Sequence, residues 1–273
     1  MSIRLIVSGA QGRMGILVRD VAASDPRFEV VQLLEAKGHP DLGRSVMLAS
    51  GGPSLRIEDT VSAEADVLVD FTTPEGFRQR VAECVQAKIA FVSGTTGLST
   101  KDRDLLVDAS SLIPALHAPN MSMGVDALCR AAAFLATSLP EDFDVEVTEV
   151  HHRRKVDAPS GTAKRLFEVL RKARPSGIRE EPVAGRRGPA GPRGKEEIGV
   201  HALRGGDVVG EHTVWFLGDG ERLEIAHRCW DRRIFARGAL RAAARLVSAS
   251  PGLYDLAALM AGSSGGSETK KSL

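Results

Sequence analysis

The segment Ile3 to Ser8 is a short apolar run that stops at Gly9-Ala10-Gln11-Gly12-Arg13-Met14-Gly15, and a helical pattern from Gly12 to Ala23 takes over at once. A strand that turns through glycines into a helix constrains a chain strongly. The turn must be tight, and the helix start presents unpaired N–H groups and a partial positive charge to any approaching anion. The same grammar recurs downstream. Phe28–Leu34, Asp66–Phe71, Ile89–Ser93 and Ile113–His117 read as buried strands, separated or followed by helical patterns near 74–87, 101–109 and 125–137. Strands alternating with helices of this length predict an α/β fold, a Rossmann-type parallel sheet with right-handed crossovers. Its polar residues gather just after the strands, where an open sheet of this kind binds ligands.

The glycine spacing is G-x-x-G-x-x-G rather than the commoner G-x-G-x-x-G, so the motif is moderately specific on its own. Glu35 strengthens it. It closes the second strand about 20 residues past the last glycine, where a carboxylate accepts from the ribose hydroxyls of a dinucleotide. A carboxylate there repels a 2′-phosphate and favours NADH, while Arg13 and Lys37 stand close enough in sequence to offset that repulsion for NADPH. Gly94-Thr95-Thr96-Gly97 and Ala118-Pro119-Asn120-Met121 follow consecutive strands, and both are candidates to line the nicotinamide end of one cleft.

After Pro140 the pattern changes. Phe143, Val145 and Val147 alternate with Asp144, Glu146 and Thr148, as in a strand with one wet face. One helix (about 161–173) and strand patterns at Glu197–Leu203, Val208–Leu217 and Arg222–Ala226 follow. These predict a second, α+β domain with a mixed or antiparallel sheet. The Gly/Pro/Arg-rich stretch Pro182 to Gly194 reads as a mobile loop. A helical pattern from Asp231 to Ser248 returns the chain to the first domain. The expected division is therefore 1–122 with 232–261 for the dinucleotide domain, 123–231 for the second domain, and 262–273 as a disordered tail.

At 273 residues the chain has room for two cores, and a formal charge of +1 gives no global field for nucleic acid. No apolar run approaches the roughly 20 residues that cross a bilayer, and the strand pattern begins too early for a signal peptide. Cys84, Cys129 and Cys229 are odd in number and match no metal spacing, which suits reduced thiols in a cytoplasmic enzyme without a metal.

Chemistry concentrates in Glu149-Val150-His151-His152-Arg153-Arg154-Lys155-Val156-Asp157-Ala158-Pro159-Ser160-Gly161-Thr162-Ala163. Two histidines, two arginines and a lysine lie together, and Ser160-Gly161-Thr162 supplies a turn and hydroxyl caps for the helix that follows. A solvated basic turn is the bland alternative. The paired histidines beside a capped helix start point instead to a small, multiply negative molecule and a proton donor.

Together these residues resemble the 4-hydroxy-tetrahydrodipicolinate reductase family, formerly dihydrodipicolinate reductase, of bacterial lysine and diaminopimelate biosynthesis. The resemblance runs from Ile3 to about Leu259. It includes the glycine turn, Asp70-Phe71-Thr72-x-Pro74, Gly94-Thr95-Thr96-Gly97 and Asn120-x-Ser122-x-Gly124. Most specific is His151-His152-x-x-Lys155-x-Asp157-Ala158-Pro159-Ser160-Gly161-Thr162-Ala163, with Arg204-x-Gly206-Asp207-x-Val209-Gly210-Glu211-His212 nearly as telling.

The resemblance implies reduction of a cyclic imine dicarboxylate by NADH or NADPH, with hydride delivered to ring carbon 4. It makes His151 the proton donor and Lys155 a catalytic cation near a substrate carboxylate. His152, Ser160, Gly161 and Thr162 become substrate-binding positions. Gly9, Ala10, Gln11, Gly12, Arg13, Met14, Glu35, Gly94, Thr95, Thr96, Ala118, Pro119, Asn120 and Met121 become cofactor contacts. It also implies a homotetramer built through the second domain, and a nicotinamide ring that meets the substrate in a gap between the two lobes. Arg154 departs from a histidine common at that position, and Ala36 replaces an arginine that serves a 2′-phosphate, which leaves Lys37 or Arg13 as substitutes. A different two-domain nicotinamide oxidoreductase, acting on an amino acid or polyol, is the competing enzyme reading. A cofactor sensor with a vestigial second domain would have little reason to keep His151, Lys155 and the helix cap together.

Overall fold

The computed structural model describes residues 1–49, 51, 54–174 and 177–261. The stretch 262–273, expected to be a disordered tail, lies outside the described residues. The chain separates into two compact units, Met1–Met121 with the chain from Arg232 onward, and Ser122–Asp231.

The first unit opens with β1 (Ile3–Ser8), α1 (Arg13–Ala23) and β2 (Phe28–Leu34), then β3 (Ser45–Val46) and β4 (Leu55–Glu58). It continues with β5 (Val67–Asp70), α2 (Pro74–Ala87), β6 (Ala90–Ser93), α3 (Thr100–Ser110) and β7 (Pro114–His117). The second unit contributes α4 (Met123–Ser138), β8 (Asp144–His151), α5 (Gly161–Ala173), β9 (Ile198–Arg204), β10 (Gly210–Gly218) and β11 (Glu221–Cys229). The chain then returns to the first unit through α6 (Arg233–Leu246), β12 (Gly252–Tyr254) and α7 (Leu256–Ala261).

The first unit carries an eight-stranded sheet in the order β12-β7-β6-β5-β1-β2-β4-β3. Its pairs are parallel except β3 with β4 at one edge. Strand order reverses beside β1, which has β2 on one side and β5 on the other. Crevices beyond the strand ends at such a reversal are where open α/β sheets take their ligands. Ile6, Leu34, Leu68, Phe77, Phe91 and Ile113 are among the fully buried side chains that pack the sheet against α2 and α3. The strands β3, β4 and β12 escape a periodicity reading for a simple reason: two to four residues are too few to show alternation.

The second unit is a four-stranded mixed sheet, β11-β10-β8-β9, with β8 and β9 parallel and the other pairs antiparallel. One face, including Val145, Val147, Val200, Val214 and Phe216, packs on α4 and α5 through Leu128, Ala132, Leu166 and Leu170. The opposite face holds Thr148 and Trp215, joined by a 3.2 Å hydrogen bond from the indole N–H, and the Arg222 guanidinium stacks over the indole at 5.3 Å. The segment 182–194, read as a mobile loop, is a loop tied down at several points. Val183 bridges to Gly199. Arg186 and Arg193 both donate to Glu146 at 3.0 Å, and Arg193 reaches Asp144 at 2.6 Å. Composition alone shows the Gly/Pro content and not these anchors.

Candidate active site

In the first unit the glycine turn is crowded in a way that only glycine permits. Gly9 has φ +73°, and a Cβ there would lie 2.6 Å from the carbonyl oxygen of Phe71 at the end of β5. A Cβ on Gly15 would lie 1.9 Å from the Gly9 carbonyl oxygen, so α1 seats directly on the turn. Gly12 caps α1 with no side-chain hydrogen bond, which leaves the helix start open to an anion. Glu35 is buried, and its carboxylate accepts the Gln11 N–H at 2.6 Å. Asp41 accepts from the Gln11 side chain at 3.3 Å, a second carboxylate that sequence reading did not single out. Arg13 and Lys37 are exposed and make no ion pair among the described residues.

A cavity of about 390 Å³ collects the next set. Arg13, Met14, Gly94, Thr95, Thr96, Pro119, Asn120 and Met121 all line it, so residues of three separate turns converge there. Phe71, Thr72, Arg232 and Phe235 also line it, and these were not among the expected cofactor positions. Ala118 is buried behind this loop, its N–H donating to the Ser93 carbonyl at 3.0 Å. A Cβ on Gly94 would lie 2.1 Å from the Phe71 ring, so that ring packs directly on the Gly94 backbone.

Beneath the cavity runs a polar row that the parallel register creates. Ser8 pairs with Asp70, Asp70 with Ser93, and Ser93 with His117. Asp70 is fully buried and accepts from the hydroxyls of Thr72 (2.7 Å), Thr95 (2.8 Å) and Ser93 (2.9 Å). Burial pushes its carboxyl above the usual range, and the hydroxyls only partly counter this. Arg80, almost fully buried, donates to the Ser8 hydroxyl at 3.2 Å and to the Glu35 carbonyl at 2.9 Å. One network thus braces both Glu35 and the Thr95 loop. The signal available in the sequence was a polar residue closing each of four apolar strands.

In the second unit, β8 delivers Glu149 and His151 to the face that carries α5. Glu149 is fully buried. Its carboxylate accepts from His151 Nδ1, from both terminal nitrogens of Arg204 at 2.9 Å, and from the Ser160 N–H at 3.0 Å. Burial pushes the Glu149 carboxyl up, but His151, Arg204 and the Ser160 N–H outweigh it and bring it down to about 2. A carboxylate can only accept, so Nδ1 carries its hydrogen and Nε2 is the exchangeable position of His151.

His212 stands 5.2 Å from His151, ring to ring, at 75°. Burial, then repulsion from His151, lowers it to about 4, so it is neutral near pH 7. Its Nε2 is 3.1 Å from the Ser160 hydroxyl, which also caps α5 by accepting the Ala163 N–H at 3.2 Å. Gly161 opens the helix, and a Cβ there would meet nothing within 4 Å. Thr162 follows it in the first turn of α5. Lys155 pairs with Asp157 at 2.9 Å. The His152 N–H donates to the Val208 carbonyl at 2.8 Å, and the Lys155 N–H to the His152 carbonyl at 3.0 Å, which folds this turn back on itself. Arg154 is exposed.

The sequence pattern of the dihydrodipicolinate reductase N-terminus matches residues 3–121, and that of its C-terminus matches 124–260. The chain belongs to the dihydrodipicolinate reductase family. The two matched regions meet where the structural units divide, at Met121 and Ser122. Among relatives of this family, 4-hydroxy-tetrahydrodipicolinate reductase of Trichlorobacter lovleyi is 43% identical over 259 residues, covering 93% of this chain and 97% of the relative. The protein of the same name from Nitrosomonas europaea is 42% identical over 258 residues, covering 93% and 96%. A solved dipicolinate-bound dihydrodipicolinate reductase from Paenisporosarcina sp. TG-14 shares the fold, with a TM-score of 0.74 at 24% identity over 93% of this chain and 97% of that one.

Proposed function

We infer that this protein is a 4-hydroxy-tetrahydrodipicolinate reductase, an oxidoreductase of lysine and diaminopimelate biosynthesis that uses a pyridine nucleotide. Its substrate loses water to give the conjugated cyclic imine dicarboxylate (dihydrodipicolinate), which is reduced to tetrahydrodipicolinate. The observation that carries the reading is His151, locked through Nδ1 onto Glu149, with Nε2 left to exchange a proton close to the open start of α5.

The reduced nicotinamide, once bound, supplies hydride to ring carbon 4. The glycine turn and the open N-terminus of α1 suit its pyrophosphate, with Gly9, Ala10, Gln11, Gly12, Arg13 and Met14 in reach. The cavity lined by Gly94, Thr95, Thr96, Pro119, Asn120 and Met121, with Ala118 behind, suits the nicotinamide. Glu35 and Asp41 together disfavour a 2′-phosphate, so NADH is accepted readily, and Arg13 and Lys37 allow NADPH as well.

In the second unit, the first N–H groups of α5 at Gly161 and Thr162, with the Ser160 cap, hold one substrate carboxylate. Lys155 exchanges its bond to Asp157 for a carboxylate, and His152 flanks the same group. His151 passes its Nε2 proton to the carbon next to the one reduced and regains it from water. The exposed face of the second sheet, with Trp215 and the half-exposed Leu203, supports self-association as a homotetramer. Three buried thiols suit the cytoplasm. No described helix is long and apolar enough to cross a membrane.

A coupled assay tests the reading. Pyruvate, aspartate semialdehyde and the preceding synthase are supplied, and loss of NADH or NADPH absorbance is followed separately. Consumption of either only when the synthase is present is expected; no consumption of either contradicts it.

A further inference from the structure

Strand alternation places Glu149 and His151 on one face of β8, and the end of β9 brings Arg204 alongside them. The four acceptor positions of Glu149 are shared evenly. One oxygen takes His151 Nδ1–H and one Arg204 nitrogen (2.9 Å); the other takes the Ser160 N–H (3.0 Å) and the second Arg204 nitrogen (2.9 Å). Arg204 also donates to the Asp157 carbonyl at 2.8 Å. One buried carboxylate therefore joins the imidazole to the turn that opens α5, and one guanidinium holds both in place. On the other side of the ring, a Cβ at Gly210 would come within 2.9 Å of His151 Nε2, so β10 leaves that nitrogen only the room a glycine gives.

Building on the function proposed above, we propose that Glu149 and Arg204 are a matched pair of positioning residues for proton transfer. Glu149 fixes the tautomer and aim of His151, and Arg204 balances the carboxylate's charge so that the imidazole is not locked to it as a permanent ion pair. The surrounding groups leave this balance to the pair. His212 on β10 is neutral, lowered to about 4, and Lys155 and Asp157 in the turn neutralise each other. His227 on β11 is also lowered by burial.

The two substitutions should move His151 in opposite directions. Glu149→Gln removes the anion, so the midpoint at which kcat/KM falls with rising pH drops by about 1 pH unit. Arg204→Met removes the compensating cation, so the same midpoint rises by about 1 unit, and Arg204→Lys returns it close to the parent value. A merely structural role would lower the rates without splitting the midpoints. Shifts of both variants in the same direction, or of neither by more than about 0.3 unit, overturn the proposal. A second readout needs no variant and no turnover. Nitrogen NMR of the imidazole in the intact parent protein should show neutral His151 protonated at Nδ1, and an Nε2–H tautomer overturns the proposal. If the parent fails to consume NADH or NADPH in the coupled assay, the functional reading has failed, while the NMR result still decides the pairing.

Discussion

Asp70 in the first unit and Glu149 in the second are both fully buried carboxylates near strand ends, yet they are held in opposite ways. Asp70 faces hydroxyls from Thr72, Ser93 and Thr95, and burial raises it. Glu149 faces donors that cannot accept, an Nδ1–H, a guanidinium and a backbone N–H, and it falls to about 2. Hydroxyls can donate or accept, so the row around Asp70 accommodates either protonation state. That suits a scaffold beneath the Thr95 loop, where shape matters and charge does not. The donors around Glu149 accept only the anion, which suits a device that governs a proton on a neighbouring imidazole.

The sharpest way to break this comparison is to replace each acid by its amide. Glu149→Gln sets an NH2 against donors and leaves the partly buried Arg204 without its anion, so it should cost about 2–3 kcal/mol in urea unfolding. Asp70→Asn lets the surrounding hydroxyls reverse and should change stability by no more than about 1 kcal/mol. Equal losses would mean that the two environments do not differ in the way argued.

Acid should separate the units next. His212 has a folded value near 4 against 6.5 in the unfolded chain, so the unfolded chain binds the proton first and stability falls as pH drops from 6.5 towards 4. The loss is on the order of 3 kcal/mol. Glu149 extends it, its contribution present above 4.5 and lost as pH falls to about 2. Asp70 has the opposite sign, since a raised carboxyl stabilises the folded state as it protonates. Hydrogen exchange near pH 5 should therefore show β8 and β10 losing protection before β1 and β5, and the reverse order would contradict the assignment.

Lys155→Ala should weaken a 2,6-dicarboxylate analogue about tenfold, by calorimetry, because an ammonium now shared with Asp157 is lost from the substrate's side. Unchanged affinity removes Lys155 from carboxylate binding. The smallest effect belongs to the first unit. Glu35→Ala should raise the KM for NADH roughly threefold and that for NADPH less, since the lost carboxylate also repelled a 2′-phosphate. Equal changes would show that Glu35 serves only the Gln11 N–H.

How much of this was legible in the sequence follows from the same contrast. The glycine turn and the segment His151 to Thr162 could be read directly, because local chemistry there is contiguous and a helix start follows at once. The row of Ser8, Asp70, Ser93 and His117 could not, since four strands contribute one residue each and only parallel register brings them level. Arg204 lies 55 residues from Glu149, and nothing in spacing or periodicity joins them. A faint signal was present: Glu149 and His151 occupy alternate positions on the apolar face of β8, and buried charges at such positions need partners from elsewhere. The anchoring of Arg186 and Arg193 on Glu146 was hidden for a similar reason, because Gly/Pro content marks a loop and says nothing of where its side chains land.

The most direct test of the central claim, that His151 hands over the proton, is the turnover of His151→Gln in the coupled assay beside its affinity for the dicarboxylate analogue. Loss of a general acid should cut kcat by roughly 100-fold or more and leave analogue binding within a few-fold of the parent. A parent-like kcat, or a loss that lies entirely in analogue affinity, would contradict it.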